Sequence, residues 1–181
     1  MKFSAICCFV LLIFVSCMEP SARKPIVNKT GSELKESINI NKKIIEFEDR
    51  NFKEIMRLDS VNNYITSSLG FWYKIEVKSN QNYFPKTGDE IVYVYDVFDI
   101  ENSIIYTKEE LGVKTYIVDK QEIVDGLRSG LKLMNEGDEV TFLFPSHKMF
   151  GYQGDNNKIG INKSLIYKVK LIKINKKNES I

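Results

Sequence analysis

The chain has 181 residues, of which 43% are hydrophobic and 12% aromatic, enough to fill the core of one globular domain. Lysine and arginine number 26 against 24 acidic residues, and a formal charge of +2 argues against nucleic acid or another polyanion as a partner. The cysteines stand at positions 7, 8 and 17, so no disulfide can form within the part of the chain after Cys17.

Residues 1–16 have the pattern of a secretory signal. An early lysine precedes an apolar run, Ile6–Val15, that is too short to span a bilayer as a mature helix. Phe14-Val15-Ser16-Cys17 then resembles the lipobox of bacterial lipoproteins, in which the signal is cut before an acylated cysteine. A plain signal peptide fits less well, because no small-x-small cleavage site precedes Cys17. We therefore predict a lipid on Cys17 and a protein tethered to a membrane.

Residues 17–31 are a predicted flexible tether, because they contain Pro20 and Pro25 and show no hydrophobic period. Met18, directly after the predicted lipidation site, is not the aspartate that is associated with inner-membrane retention of bacterial lipoproteins. We therefore expect the protein on the outer membrane of a cell envelope, facing the periplasm.

Residues 32–69 are predicted as a helical extension. Ser32 is a suitable N-cap, and apolar residues recur at helical spacing as far as Leu58. A helix of about 25 residues would be ~38 Å long at about 1.5 Å per residue. Two roles are open: the helix packs on the protein's own sheet, or it joins two copies in a homodimer. Packing on the sheet is slightly favoured, because several asparagines interrupt a clean heptad.

Residues 70–175 have the pattern of one β-rich domain. Apolar and polar side chains alternate over residues 70–77, which predicts a half-buried strand. The strand that follows Gly88 has apolar residues on both faces, so we expect it to be central and covered on both sides. Leu165–Ile174 is the predicted last strand, and residues 176–181 are a predicted disordered tail.

The most informative stretch is Lys120–Gly151. Apolar residues recur every three or four positions over Ile123–Met134, which predicts a helix, and Gly137 is placed to end it. The period changes to two over Val140–Phe144, a predicted strand that a proline ends. One helix among mostly antiparallel strands predicts an α+β fold.

The chain contains none of the common catalytic sets. It has a single histidine, His147, and no HExxH, GxSxG or Walker pattern. Nucleophilic, zinc and phosphoryl chemistry are therefore poorly supported, and we expect neither a metal nor another cofactor. A reaction that an apolar, aromatic site can perform without an acid, a base or a metal fits the sequence better.

A family resemblance lies in the strings FPKTGDEIVYVY, IVDGLRSGLKLMNEGDEVTFLFPSHKMFG and KIGINKSLIYKVKLIKI. Their order and content resemble the FKBP-type peptidyl-prolyl isomerases over roughly residues 85–174. The lipoprotein-like N-terminus and the string TFLFPSHKMFGYQGD look like one branch in particular, the gliding-motility-associated isomerase lipoproteins of gliding bacteria. The resemblance implies a curved antiparallel sheet wrapped around one short helix.

The resemblance also implies site residues, position by position. Val124 matches the residue at the helix entry whose backbone N–H is expected to bind the substrate carbonyl. The other matched positions form the expected wall and floor of an apolar proline site. As catalytic residues it implies Tyr95, Tyr106, Val124 and Phe150, and as substrate-binding residues Ile123, Leu127, Ile159, Tyr167 and Thr107.

Three of these positions depart from the family pattern. Leu127 stands where many members have the tryptophan that floors the pocket, so the site should be wider or shallower. Phe150 stands where a tyrosine normally offers a hydroxyl to the substrate, a loss of ~0.5–1.5 kcal/mol if nothing replaces it. Thr107 stands where an aspartate is usual, and Val113 or Lys114 falls near the place of another pocket aromatic. Together the departures predict weak or narrow catalysis.

Two functions follow from the resemblance. The first is a lipid-anchored peptidyl-prolyl cis-trans isomerase that acts on proline-containing exported proteins, with clients among gliding and secretion components. The second is a non-catalytic folding helper or structural subunit of the same machinery. Phe150 and Leu127 favour the second, and the retained apolar positions favour the first, which we prefer.

Overall fold

The computed structural model describes residues 31–59 and 63–177. The chain divides into a unit of residues 1–37, of which only the first turns of one helix are described, and a unit of residues 38–181 that contains the sheet. The predicted signal peptide, Cys17 and nearly all of the predicted tether lie outside the described residues, as do the last four residues of the tail. No helix in the described ranges is both long and apolar enough to cross a bilayer.

The described residues form an α+β fold, as predicted. The elements are α1 (Gly31–Leu58), β1 (Ile65–Thr66), β2 (Trp72–Val77), β3 (Glu90–Phe98), β4 (Ile104–Tyr106), α2 (Lys108–Leu111), β5 (Lys114–Ile117), α3 (Asp125–Leu131), β6 (Glu139–Phe144), a 3-10 turn (Ser146–Lys148) and β7 (Leu165–Asn175). The sheet is antiparallel, in the order β1-β2-β6-β7-β3-β4, and β5 pairs with the part of β3 that β4 does not cover. Irregular registers between β2 and β6 and between β3 and β7 bend the strands, as bulges do.

One face of the sheet, here called the front face, carries the main core and helix α3. Two glycines on one side of α3 allow this close contact. A Cβ atom at Gly126 would lie 2.8 Å from Cδ1 of Phe144, and one at Gly130 would lie 2.9 Å from Cε1 of Phe142. The helix can therefore approach β6 only because these positions lack a side chain. The front-face core includes Phe71, Ile91, Tyr93, Val97, Leu127, Leu131, Phe142, Phe144, Leu165 and Tyr167.

The opposite face, the back face, is covered by α1. Phe52 is fully buried there against Leu143 and Ile166, and its ring centroid lies 5.3 Å from that of Trp72. These sheet residues alternate along their strands with front-face residues, so both faces of the sheet are apolar at its centre. The contact agrees with the favoured role for the helix, packing on the protein's own sheet. On β3, for which cover on both sides was expected, only Phe98 packs against this cluster.

Three details differ from the sequence-based expectations. Helix α3 ends at Leu131, before Gly137, because the following amides bond to other partners: Asn135 N donates to Asp138 and Gly137 N to the carbonyl of Leu171 on β7. The short helix α2 was not predicted. The segment 32–69 is helical only as far as Leu58, and it also supplies strand β1, which pairs with β2.

Candidate active site

The apolar residues implied by the family resemblance belong to one cluster at the rim of the front-face core. They come from β3, the end of β4, the entry and body of α3, the loop after β6, and β7. Because several are only half-buried, the cluster presents an apolar surface to solvent. Leu127, Ile159 and Tyr167 are buried, and Tyr95, Tyr106, Ile123, Val124 and Phe150 are half-buried against them.

Stacked tyrosines form one wall of this cluster. Tyr93 and Tyr95 alternate on β3 and stack at 5.8 Å between ring centroids, and Tyr95 stacks on Tyr167 of the neighbouring strand at 5.2 Å. Phe144 meets Tyr167 edge to face at 5.6 Å. Burial raises the pKa of all three tyrosine hydroxyls, and the charge of neighbouring groups adds to the shift. The wall is therefore neutral at physiological pH.

Tyr106 is hydrogen-bonded to Asp155 in the loop that joins β6 to β7. Its hydroxyl donates to Asp155 Oδ2 at 2.6 Å, while Oδ1 of the same carboxylate accepts from the backbone amides of Asn157 and Ile159 at 2.8 Å each. Burial alone would raise the pKa of Asp155, but these hydrogen bonds outweigh it and hold the pKa below its ordinary value. The network places Ile159 beside the tyrosine wall.

Sequence reasoning missed Asp155. The signal that could have found it is the run Gly154-Asp155-Asn156-Asn157, because an aspartate followed by turn-forming residues often accepts bonds from amides two or more positions later. The aspartate that the family pattern places next to Tyr106 is absent here. A carboxylate from a distant loop reaches the Tyr106 hydroxyl instead.

A second set of contacts joins the same loop to α2. Lys158 Nζ lies 2.6 Å from Glu110 Oε1 and 4.7 Å from the ring centroid of Tyr106. Thr107 caps α2, since its hydroxyl oxygen accepts from Glu110 N at 3.1 Å. The structure thus gives Thr107 a capping role, and its contact with substrate stays a prediction.

Val124 precedes the first turn of α3 in an extended conformation, with φ −56° and ψ 138°. Its carbonyl accepts from Arg128 N at 3.0 Å, whereas its own N–H has no acceptor among residues 31–59 and 63–177. Next to it, Asp125 pairs with Lys148 at 3.0 Å and Arg128 at 2.7 Å, and these bonds lower the pKa of the Asp125 carboxyl. The free Val124 amide is a donor at the edge of an apolar surface.

The apolar cluster is closely packed where the proline site is predicted. The rings of Tyr95 and Tyr167 are stacked, and Leu127 is almost fully buried. A hollow of about 580 Å³ reaches Phe150 from the side of α1, and its lining includes none of Tyr95, Tyr106 and Val124. Phe150 therefore belongs to the apolar cluster and also lines this hollow.

Metal chemistry finds no support in the described part of the chain. No group of three or more histidine, cysteine, aspartate or glutamate side chains there is arranged to hold an ion. His147 lies exposed on the 3-10 turn. The carboxylates near the site are engaged by tyrosine, lysine and backbone donors.

Comparison with known proteins identifies the family. The family described as FKBP-type peptidyl-prolyl cis-trans isomerase matches residues 81–172, just over half of the chain. The chain is also 32% identical over 110 residues to the probable FKBP-type peptidyl-prolyl cis-trans isomerase FkpA of Neisseria meningitidis serogroup B. That alignment covers 60% of this chain and 39% of the relative's length. Because the family match extends over more than half of the chain, we conclude that the chain belongs to the FKBP-type peptidyl-prolyl cis-trans isomerase family.

Proposed function

We propose that this protein catalyses cis-trans isomerisation of Xaa-Pro bonds in polypeptide clients. The observation that carries the proposal is the Val124 amide, which has no acceptor among the described residues and belongs to the same apolar cluster as half-buried Tyr95, Tyr106 and Phe150. One donor next to an apolar surface is what an Xaa-Pro dipeptide requires, because it offers a carbonyl and an apolar ring.

Prolyl isomerisation requires no acid, base or metal in addition to this surface. The barrier of ~18–20 kcal/mol reflects the loss of amide resonance on twisting. An apolar surface disfavours the charge-separated planar amide relative to the twisted one, and each 1.36 kcal/mol or so removed gives about a tenfold rate. In this proposal the Val124 amide holds the carbonyl, and the half-buried Tyr95, Tyr106 and Phe150 supply the apolar surface for the prolyl ring.

The test uses the chain from Met18, which retains every described residue, in a refolding reaction limited by proline isomerisation. We expect measurable acceleration, and Phe150→Tyr should equal or exceed it by about 2- to 10-fold, since a hydroxyl bond of ~0.5–1.5 kcal/mol is regained. Val124→Asp should abolish the acceleration by placing a charge beside the substrate carbonyl. Val77→Asp, at a position on β2 that is 49% exposed and outside the predicted site, is the matched control and should retain activity.

A second function, client binding without catalysis, is favoured by the closely stacked rings and by Phe150, which lacks the hydroxyl. The same experiment separates the two. If neither the parent chain nor Phe150→Tyr accelerates refolding while both still bind unfolded polypeptide, the protein is a binding member of the family.

We also propose a lipid on Cys17, a location on the outer membrane facing the periplasm, and clients among exported gliding and secretion components. The lipobox-like Phe14–Cys17 and the family branch that the sequence resembles support this. Cys17→Ser should abolish incorporation of radiolabelled palmitate and release the protein from membranes. Incorporation that survives the substitution would rule out the anchor.

A homodimer through α1 is a further proposal, supported by apolar side chains that the helix leaves about half exposed, among them Ile38, Ile40 and Phe47. Sedimentation of the chain from Met18 over a concentration series tests it. A monomer throughout would leave α1 with its role on the sheet alone.

A further inference from the structure

The hollow of about 580 Å³ that Phe150 lines is built from two parts of the chain. Ile44, Ile45 and Glu48 of α1 form one side, and the loop from Ser146 to Gln153 forms the other. Its volume of about 580 Å³ lies within the usual range for ligand sites. Ile45 is 54% exposed, so apolar surface in the hollow is open to solvent.

The hollow continues along α1 in the direction away from Phe150. A second hollow of about 300 Å³ shares Ile45, Glu48 and His147 with the first and is otherwise lined largely by apolar residues such as Phe52 and Trp72. We call the two together the helix groove. An elongated apolar depression of this kind suits an extended segment of polypeptide better than a compact small molecule.

Glu48 makes the helix groove rigid. Its side chain is 4% exposed, and Oε1 accepts from Ser146 N and from Ser164 Oγ, both at 2.9 Å. The two serines stand at the beginning and the end of the loop that carries Phe150 and Ile159. One carboxylate oxygen thus ties α1 to both ends of this loop and holds the walls of the groove in place.

The other oxygen of this carboxylate is available to a ligand. Within the described ranges, Glu48 Oε2 has no hydrogen-bond partner, although Glu48 lines both hollows. In the described ranges, the fully buried side-chain atoms that lack a partner do not include Glu48 Oε2, so this oxygen is within reach of solvent and can accept from a donor outside the chain. A backbone N–H of a bound chain is such a donor.

We propose that the helix groove is a second binding site for the client polypeptide, which takes the apolar stretch next to the proline held at the catalytic site. Phe150 provides the continuity, because it packs against the front-face core with the other predicted site residues and also lines the groove. The proposal rests on the proposed isomerase function. It assigns α1 a direct part in the choice of substrate, and it predicts a preference for prolines flanked by apolar residues.

The test compares two isoleucines on the same helix. Ile45 lies in the groove, whereas Ile40, 51% exposed, does not line it. In the chain from Met18, Ile45→Gln should weaken binding of a labelled, reduced and carboxymethylated protein about 3- to 10-fold and raise KM for a refolding protein by a similar factor. Turnover of a proline tetrapeptide should not change, and Ile40→Gln should change none of these.

A cross-linking experiment identifies the occupant. The chain from Met18 has no cysteine, so Ile45→Cys creates a unique site for a photoactivatable maleimide, and Ile40→Cys is the control. Cross-links from position 45 to the unfolded polypeptide are expected. Cross-links to a second copy or to residues 18–30 of the same chain would overturn the proposal, as would equal losses by Ile45→Gln on tetrapeptide and protein. Polypeptide binding that depends on Ile45 without tetrapeptide turnover would support the groove and refute the isomerase.

Discussion

The two faces of the sheet are covered by helices of very different length. Helix α3 on the front face has 7 residues, and four of them are buried. Helix α1 on the back face has 28 residues, yet among its described side chains only Glu48 and Phe52 are buried. The length of a helix therefore does not indicate how much of it is buried against the sheet. The short helix is held by a continuous core, and the long helix by two specific contacts.

This difference bears on function. The front face is filled, so the apolar surface that the proposed function requires lies at its rim, where Tyr95, Tyr106 and Val124 are half-buried. The back face is thinly covered, and open apolar surface remains along α1. Because few side chains of α1 pack on the sheet, room remains for a groove beside this helix. The dense packing of α3 leaves no such room.

The largest effect is expected from Phe52→Ala, which tests whether α1 is part of the cooperative fold. Because this ring is fully buried between α1 and the sheet, we expect a loss of about 3–5 kcal/mol in the free energy of unfolding, measured by urea denaturation. Phe47→Ala, on the same helix but 53% exposed, should change stability by no more than about 0.5 kcal/mol. Equal, small effects would mean that α1 does not belong to the cooperative fold.

The next largest effect is expected on the front side, at the turn before β6. Asp138 is 2% exposed and accepts from Ser79 N and Asn135 N, both at 2.7 Å. Asp138→Asn should cost about 2–3 kcal/mol at pH 7, because bonds to a buried carboxylate are lost. Glu122→Gln, at an exposed position, should have little effect.

Asp138 also predicts a pH dependence. Burial would raise the pKa of Asp138, but its backbone hydrogen bonds outweigh this and lower it. Its contribution is therefore complete above the unfolded pKa of about 3.9 and is lost as the pH falls through the lower folded value. Urea titrations from pH 7 to 2 should show a shallower acid loss in Asp138→Asn than in the parent chain. Identical slopes would assign the acid sensitivity to other carboxylates.

Gly130→Ala tests the close approach of α3 to the front face. Helix propensity favours alanine by about 1 kcal/mol, but the new methyl group would lie 2.9 Å from Phe142. Because overpacking of this kind costs about 1–3 kcal/mol, we expect a net loss of about 1 kcal/mol by urea denaturation. Gly160→Ala, with its nearest neighbour at 4.0 Å, should not destabilise. A stabilised Gly130→Ala would show that the helix can move away from β6 at little cost.

The smallest effect concerns the loop that carries Ile159. Tyr106→Phe removes the bond to Asp155 but leaves the two backbone donors to that carboxylate, so a loss of about 1 kcal/mol in stability is expected. The loosened loop should raise KM for a proline peptide about 3-fold with little change in kcat. Tyr152→Phe, at a position 75% exposed, is the control. Unchanged KM would separate Tyr106 from substrate binding.

Much of the fold could be predicted from local patterns. Period two marked β2, β3, β6 and β7 because alternate side chains of a strand point to opposite faces. The double-sided apolar pattern of β3 predicted cover on both sides, but on its back face only Phe98 packs against the cluster under α1, and Val92 and Val94 stay half-buried. Helical spacing placed the end of α1 at Leu58, as observed. The residues of the candidate site came from the family resemblance, and the structure brings their apolar members into one cluster.

Sequence patterns did not predict the contacts between distant parts of the chain. The end of α3 was misplaced because Asp138 and β7 take up the amides that a longer helix would have used. Asp155 was missed because its partner Tyr106 lies 49 residues away. Glu48 gave no local signal at all, since its hydrogen bonds reach across 98 and 116 residues.

The amino-acid sequence was sufficient to predict which residues are apolar and on which strand face they lie, because these depend on spacing along the chain. It was also sufficient to identify the family, because the motifs of the chain resemble those of known members. Only the tertiary structure decided that α1 covers the back of the sheet, that Glu48 ties it to the loop of Phe150 and Ile159, and that a groove opens beside Phe150. Those features depend on hydrogen bonds and ring contacts that exist only once remote segments have packed together.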